Sequence, residues 1–175
     1  MSTSSGQPTI QGVVFTLRII LFALASGLIT FAMVTIAIVN PGDPQPGEIP
    51  SEPFLSYVAY RFLLGAVVGS FVVPRLIVAT QIRQLARADN AERGATLSHL
   101  LLGLFQIKTI VSAAFYEGLG FFALITYLVE ESVIVFPVAL IALLGILLFF
   151  PTTSGVESWM ESIERRIGEQ RMMNP

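Results

Sequence analysis

Apolar residues fall into long runs along this chain, and short polar stretches separate the runs. A helix that crosses the hydrocarbon core of a bilayer, roughly 30 Å thick, needs about 20 mostly apolar residues. Four runs reach or approach this length, at residues 19–39, 57–74, 109–129 and 133–150. The pattern predicts an all-α membrane protein in which residues 13–150 form a bundle of four transmembrane helices.

Residues that end helices lie at the borders of these runs. Pro41 and Gly42 follow the first run, and Pro151 follows the fourth. Proline and glycine both interrupt a helix, because proline lacks the N–H group and glycine loses the most backbone entropy. Only three residues separate the third run from the fourth. These two helices are therefore expected to form a tight antiparallel hairpin.

Basic residues lie on one side of the predicted membrane. Residues 40–53 contain acidic side chains and no Lys or Arg. Most basic residues instead lie within residues 75–108 or follow the fourth run: Arg75, Arg83, Arg87, Arg93, Lys108, Arg165, Arg166 and Arg171. Because cytoplasmic loops are enriched in Lys and Arg, we expect both termini and the loop 75–108 in the cytoplasm. A bacterial inner membrane is the expected location.

Three segments are expected outside the hydrocarbon core. Residues 1–12 are predicted to be disordered, and residues 97–107 to lie on the membrane surface. Residues 154–171 are predicted to form an amphipathic surface helix, opened by a capping box between Ser154 and Glu157. Its apolar residues recur at helical spacing: Val156, Trp159, Met160, Ile163 and Ile167. This helix has two alternative roles, which are packing along the membrane face and binding a partner.

Composition excludes several classes of function. The sequence contains no Cys and one His, so it offers no disulfide, no thiolate nucleophile and no histidine metal site. A formal net charge of -2 provides no basic field for nucleic acid. An intramembrane enzyme would need paired acids or a Ser with a nearby base, and the sequence offers neither. We therefore expect no catalytic residue, no metal, no cofactor and no nucleic-acid partner.

Glu117 is the only acidic residue inside a predicted span. Counted from Lys108 at about 1.5 Å per residue, it lies on the order of 13 Å inside the membrane boundary, near the bilayer centre. An isolated charge at that depth costs about 2.5–3.5 kcal/mol on insertion scales. Glu117 is therefore expected to be neutral, paired or hydrated. Counting by depth suggests four hydrogen-bond or ion-pair partners: Arg61, Ser26, Thr30 and Ser70.

Small residues near the same depth predict close helix packing, because they let backbones approach each other. Gly65 and Gly69 form one GxxxG pair. Ala114 and Gly118 form a similar pair, and Gly145 adds a small residue in the fourth run. Arg61 shares a helical face with Gly65 and Gly69. Arg61 has two interpretations. Its side chain either forms an ion pair with Glu117 or extends outward to the membrane surface.

A local resemblance to a known family surrounds the acid. Residues 113–118 read Ala-Ala-Phe-Tyr-Glu-Gly, and residues 121–124 read Phe-Phe-Ala-Leu. Residues 109–129 with this motif resemble the second helix of the ATP synthase subunit c family. In that family the mid-membrane acid binds the transported proton or sodium ion. The resemblance implies an ion-binding role for Glu117 alone, and the glycine-repeat partner helix of the family has no counterpart here.

Two hypotheses of function follow. The first is a structural or interaction component of the membrane, which contacts the lipid bilayer and docks a second copy of itself or other membrane subunits. The second is translocation of protons or cations through Glu117. An intramembrane acid commonly marks such a pathway.

Overall fold

A computed structural model describes residues 9–39, 54–87 and 93–173 of the chain. Within these ranges every regular element is helical, which confirms the all-α prediction. The elements, in chain order, are α1 (Ile10–Ile38), α2 (Phe54–Arg87), α3 (Arg93–Glu130), a 3₁₀ turn (Val133–Val135), α4 (Phe136–Leu148) and α5 (Thr153–Met173).

Three of these helices are long and apolar enough to cross a membrane. They contain the segments Ile10–Ile38, Phe54–Ile82 and Leu97–Glu130. The fourth predicted span is shorter, because α4 has 13 residues and measures about 20 Å. Residues of α4 and α5 together pass as a fourth candidate, with a bend of 74° between them. The chain is thus all-helical in its described part, with three helices apolar and long enough to span a membrane, or four if the bent pair counts as one span.

Helix α3 lies at the centre of the bundle and packs against α1, α2 and α4. Helix α1 contacts α3, α4 and α5 but, in the described part of the chain, not α2. Helices α3 and α4 run antiparallel, as the short connection between them predicts. Tyr127 near the end of α3 stacks on Phe136 at the start of α4, with ring centroids 4.6 Å apart. Farther along, the rings of Tyr116 and Phe149 lie 5.9 Å apart.

Buried apolar side chains form two clusters. The larger cluster fills the space between α1, α2, α3 and α4. The second cluster lies at the end of the bundle where α5 crosses, and we refer to it as the α5 layer. Its buried members are Val13, Val14, Leu17, Val78, Ile82, Leu101, Leu102, Leu104, Val156, Met160, Ile163 and Ile167.

The helices extend beyond the predicted spans, and two expectations are corrected. Helix α1 begins at Ile10, where Thr9 Oγ1 accepts a hydrogen bond from Gly12 N at 3.1 Å. Residues 10–12 are therefore helical rather than disordered, and residues 1–8 lie outside the described residues. Residues 97–107 do not form a separate surface segment, because they belong to the first part of α3. Leu101 is fully buried in the α5 layer, which explains why this stretch stays joined to the bundle.

Helix α5 covers the predicted C-terminal helix, begins one residue earlier and has a different N-cap. Thr152, rather than Ser154, caps it, since Thr152 Oγ1 accepts a hydrogen bond from Gly155 N at 3.1 Å. The apolar face of α5 is buried within the chain, with Ile163 and Ile167 each 2% exposed. This face is therefore filled by the α5 layer, and neither lipid nor a partner is needed to cover it.

The corner between α4 and α5 is fixed to α1 by one hydrogen bond. Arg18 Nε donates to the carbonyl oxygen of Pro151 at 3.1 Å. Pro151 is buried and follows the last turn of α4. Because a charged donor roughly doubles the strength of a hydrogen bond, this contact holds the end of α4 level with the start of the first apolar run.

A proline inside α2 leaves one backbone carbonyl without its usual donor. Pro74 has no N–H group, so the carbonyl of Ser70, four residues earlier, cannot accept the normal helical hydrogen bond. Ser112 on α3 replaces the missing donor, because its hydroxyl donates to the Ser70 carbonyl at 3.0 Å. Both serines are buried, at 1% and 2% exposure. The contact therefore joins α2 to α3 at the point where α2 is weakest.

Ser112→Ala is expected to lower the free energy of unfolding by about 1 kcal/mol, because it leaves a buried carbonyl unpaired. Chemical unfolding in mixed micelles, followed by circular dichroism, measures the change. Thr80→Ala is the matched control, since the Thr80 hydroxyl bonds only to Ile77 O within its own helix and is exposed. A loss of stability as large in the control as in Ser112→Ala contradicts the role given to Ser112.

Candidate functional site

Different sides of α3 pack against different helices, and this packing sets the direction in which Glu117 points. Phe115 packs on Gly69 of α2, and the next residue, Tyr116, packs on Gly145 of α4. Gly120 meets Leu28 of α1. Each residue along a helix is rotated by about 100° from the one before it. Glu117 therefore lies between the side that faces α1 and the side that has no neighbour.

The residues on either side of Glu117 confirm this border position. Ala113 and Tyr116 are buried, at 0% and 7% exposure. Ala114 and Gly118 are exposed, and Glu117 is half-buried. We refer to Ala114, Glu117 and Gly118 as the Glu117 face. It is a patch of two small residues and one carboxyl on the outer surface of the bundle.

Within the described part of the chain, Glu117 makes no hydrogen bond and no ion pair, so its predicted partners are not found beside it. Ser70 is engaged elsewhere, because its hydroxyl donates to Val67 O at 2.8 Å and lies 3.4 Å from the Tyr116 hydroxyl. Counting residues along the predicted spans gave Ser70 a depth that agrees with its contact to α3. It could not show that Ser70 faces Tyr116, one residue before the acid.

Of the other three predicted partners, Thr30 and Arg61 are exposed and Ser26 is half-buried. Ser26 and Thr30 fall outside the buried stripe of α1, which passes through Leu21, Ala25 and Leu28, and Thr30 is exposed. Arg61 is also exposed, on the side of α2 away from its buried alanines. The exposure of Arg61 agrees with a side chain that extends outward, and the structure forms no Arg61–Glu117 ion pair among the described residues.

The small residues divide into two groups. Gly69 and Gly145 lie at helix contacts, as predicted, because a Cβ atom at Gly69 would lie 2.8 Å from Phe115 and one at Gly145 would overlap the Tyr116 ring. Gly65 and Gly118 have nothing within 4 Å of such an atom, and Ala114 is exposed. The predicted packing role of these three residues is therefore not used inside a single chain.

Gly120 is a packing residue that the sequence analysis missed. A Cβ atom there would lie 2.7 Å from both terminal carbons of Leu28 and 3.2 Å from Ala142. Gly120 therefore lets α1, α3 and α4 meet at one point. Its seven-residue spacing from the buried Ala113 places both small residues on one side of α3, and that spacing was the available signal.

Glu130, the last residue of α3, is a second polar site that the sequence analysis treated only as a border. Its Oε1 accepts a hydrogen bond from Leu55 N, and its Oε2 accepts bonds from Ser56 N, at 2.9 Å, and from the Ser56 hydroxyl. The first N–H groups of a helix have no partner within the helix. Glu130 therefore caps the start of α2 with a negative charge, which the helix dipole also favours.

Comparison of the chain with models of protein families, with curated proteins and with solved structures finds no match. The resemblance of residues 109–129 to the subunit c family therefore stays a prediction. Among the described residues, no group of three or more His, Asp or Glu side chains is placed to hold a metal ion.

Proposed function

We propose that the protein is a multi-pass membrane component that associates with a second copy of itself through the Glu117 face. One observation carries this proposal: the half-buried Glu117 carboxyl, which has no hydrogen-bond partner among the described residues, lies beside two exposed small residues of α3. A polar group in the hydrocarbon region is costly until it is hydrogen-bonded. Small residues beside it allow another helix to approach closely enough to form that bond.

A second copy is the partner that the chemistry of Glu117 favours. A neutral carboxyl group is both a donor and an acceptor of hydrogen bonds. Two such groups related by a twofold axis can therefore satisfy each other, and the same small residues line both sides of the contact. Twofold association is also the commonest symmetry among homo-oligomers.

The proposal includes a four-span arrangement with both termini on the cytoplasmic side of a bacterial inner membrane. The distribution of basic residues supports this orientation, since residues 75–108 and α5 carry most of them. The hydrogen bond from Arg18 to Pro151 supports the fourth crossing. It holds the end of α4 beside the residue that opens the first apolar run.

Single-cysteine cross-linking tests the association directly, because the natural chain contains no Cys. Ala114→Cys and Gly118→Cys are expected to form disulfide-linked dimers in native membranes treated with a mild oxidant, as read on a non-reducing gel. Val68→Cys is the matched control, because Val68 is 59% exposed on the outer surface of α2, away from the Glu117 face. It is expected to remain a monomer.

The outcomes separate the possible partners. Cross-linking at Val68 to the same extent as at Gly118 means that the contact is random, and the proposal fails. Cross-linking of Gly118→Cys to a different protein overturns the second-copy proposal and identifies another membrane subunit. A further substitution, Glu117→Leu, is expected to reduce dimer formation by Gly118→Cys, because it removes the hydrogen bond between the copies.

Ion translocation is the second candidate, and the unpaired state of the Glu117 carboxyl favours it, because an ion site must be free to load and unload. Carbodiimide, which modifies protonated carboxyls reached from an apolar phase, is expected to label Glu117 in a pH-dependent way if it is such a site. Flux in reconstituted vesicles must then be lost in Glu117→Gln while the fold is kept. Labelling without any flux rejects translocation and leaves the association proposal in place.

A further inference from the structure

A cavity of about 610 Å³ opens between α2, α3 and α5, where the bundle meets the α5 layer. Each of the three helices contributes one basic side chain to its lining: Arg75, Lys108 and Arg166. Among the residues that the structure describes, no acidic side chain lines it. Three positive charges from three separate helices therefore converge on one concave surface.

The positive charge of this cavity is not neutralised within the described part of the chain. None of the three basic side chains forms an ion pair with a described carboxylate. The ammonium group of Lys108 lies 5.5 Å from the centre of the Trp159 ring and 5.8 Å from that of Phe105. These cation–π contacts fix the lysine in position but leave its charge unpaired. Like charges in a partly desolvated space repel each other until an anion enters.

The rest of the lining combines hydroxyl groups with an apolar wall. Ser112 and Ser162 each already donate a hydrogen bond, to Ser70 O and Trp159 O respectively, so their hydroxyl oxygens remain as acceptors. Phe71, Val78 and Phe149 form the apolar part of the wall. The lining thus combines three basic side chains with apolar ones, at the border of the predicted spans.

We propose that this cavity binds the phosphate group of an anionic phospholipid. Arg and Lys side chains are the usual ligands of a phosphate, and basic pockets between membrane helices at the cytoplasmic side are suited to anionic headgroups. The apolar wall offers contact to the first part of an acyl chain, which a soluble phosphate lacks. This inference rests on the membrane location proposed above and is independent of the Glu117 face.

Trp159, the only tryptophan of the chain, lines the cavity and reports on its occupant. The purified protein is reconstituted into vesicles in which a small fraction of the lipid carries brominated acyl chains, which quench a nearby indole. Brominated phosphatidylglycerol in phosphatidylcholine is expected to quench Trp159 more strongly than the same fraction of brominated phosphatidylcholine in phosphatidylglycerol. Equal quenching by the two mixtures overturns the proposal.

The double variant Arg75→Gln with Arg166→Gln tests the basic residues and leaves Lys108 beside its aromatic rings. It is expected to lower the preference for the anionic lipid by about tenfold or more, since each basic side chain near the surface contributes to that preference. The control, Arg165→Gln, removes one positive charge from the position of α5 next to Arg166, and Arg165 does not line the cavity. It is expected to keep the preference of the natural chain.

Two further arms make the result decisive. Arg75→Lys with Arg166→Lys keeps both charges, so it is expected to retain the preference, while circular dichroism of the double Gln variant checks that its helices are kept. Inorganic phosphate and glycerol 3-phosphate are added as soluble competitors. If they abolish the lipid preference at millimolar concentration, the cavity binds a soluble phosphate and the lipid is not its ligand. A preference retained in the double Gln variant also overturns the proposal.

Discussion

Gly145→Ala is expected to lower the free energy of unfolding by about 2–3 kcal/mol, although it adds only one methyl group. A Cβ atom at this position would overlap the inner carbons of the Tyr116 ring rather than the tip of a flexible chain. The ring cannot move aside, because it packs against Phe149 and its hydroxyl lies 3.4 Å from Ser70 Oγ. Helices α3 and α4 must therefore separate. Unfolding in mixed micelles, followed by circular dichroism, measures the loss.

Gly65→Ala is the control for this change. It adds the same methyl group to a helical glycine, and nothing lies within 4 Å of the new atom. Because alanine is a better helix former than glycine by about 1 kcal/mol, the control is expected to be as stable as the natural chain or slightly more stable. Equal losses of stability in the two variants argue against a special contact at Gly145.

Glu130→Gln is expected to destabilise the protein by a similar amount, about 2–3 kcal/mol. Both carboxylate oxygens of Glu130 accept hydrogen bonds from the first turn of α2, and an amide offers only one oxygen. Its NH₂ group would face a backbone N–H or the Ser56 hydroxyl. Ser56 is buried at 1% exposure, so water cannot replace the lost bond easily. The same unfolding titration measures the effect.

Glu131→Gln provides the matched control, because it removes the same charge one residue later. Glu131 is exposed, and no described hydrogen bond involves its side chain. It is expected to leave stability unchanged. If the two variants lose the same stability, the general charge at this end of the bundle matters and the cap on α2 does not.

The length and order of the apolar runs predicted most of the fold. The second and third runs lie inside α2 and α3, the first ends one residue beyond α1, and the fourth covers the 3₁₀ turn and α4. The three-residue connection between the third and fourth runs predicted the α3–α4 hairpin correctly. The spacing of Val156, Met160 and Ile163 likewise predicted α5. These features depend on local sequence alone, because backbone hydrogen bonding in a membrane requires helices and short loops require neighbours.

The partners of Glu117 could not be predicted, because residue counting along a helix gives depth but not direction around the axis. Ser70 lies at the expected depth, yet it faces Tyr116, and a rotation of one residue, about 100°, separates the two outcomes. That rotation is set by contacts such as Gly145 against Tyr116 and Gly120 against Leu28. Such contacts join residues far apart in the sequence.

The extended start of α3 and the basic cavity were missed for the same reason. Residues 97–107 were expected to lie on the membrane surface, but Leu101 and Leu102 find partners in α5, more than fifty residues later. Arg75, Lys108 and Arg166 were interpreted only as signals of orientation. Their convergence depends on α5 folding back across α2 and α3.

The absence of contact between α1 and α2 in the described residues has a consequence for how the chain is made. Consecutive elements usually pack together, but α1 finds its first neighbour only when α3 has been synthesised. In the proposed membrane, α1 must remain in the bilayer during that interval as a single helix, stable on its own before any assembly takes place. Residues 19–39, which contain no charged side chain, meet this demand. A charge introduced there is therefore expected to impair insertion during synthesis, before it can affect the finished bundle.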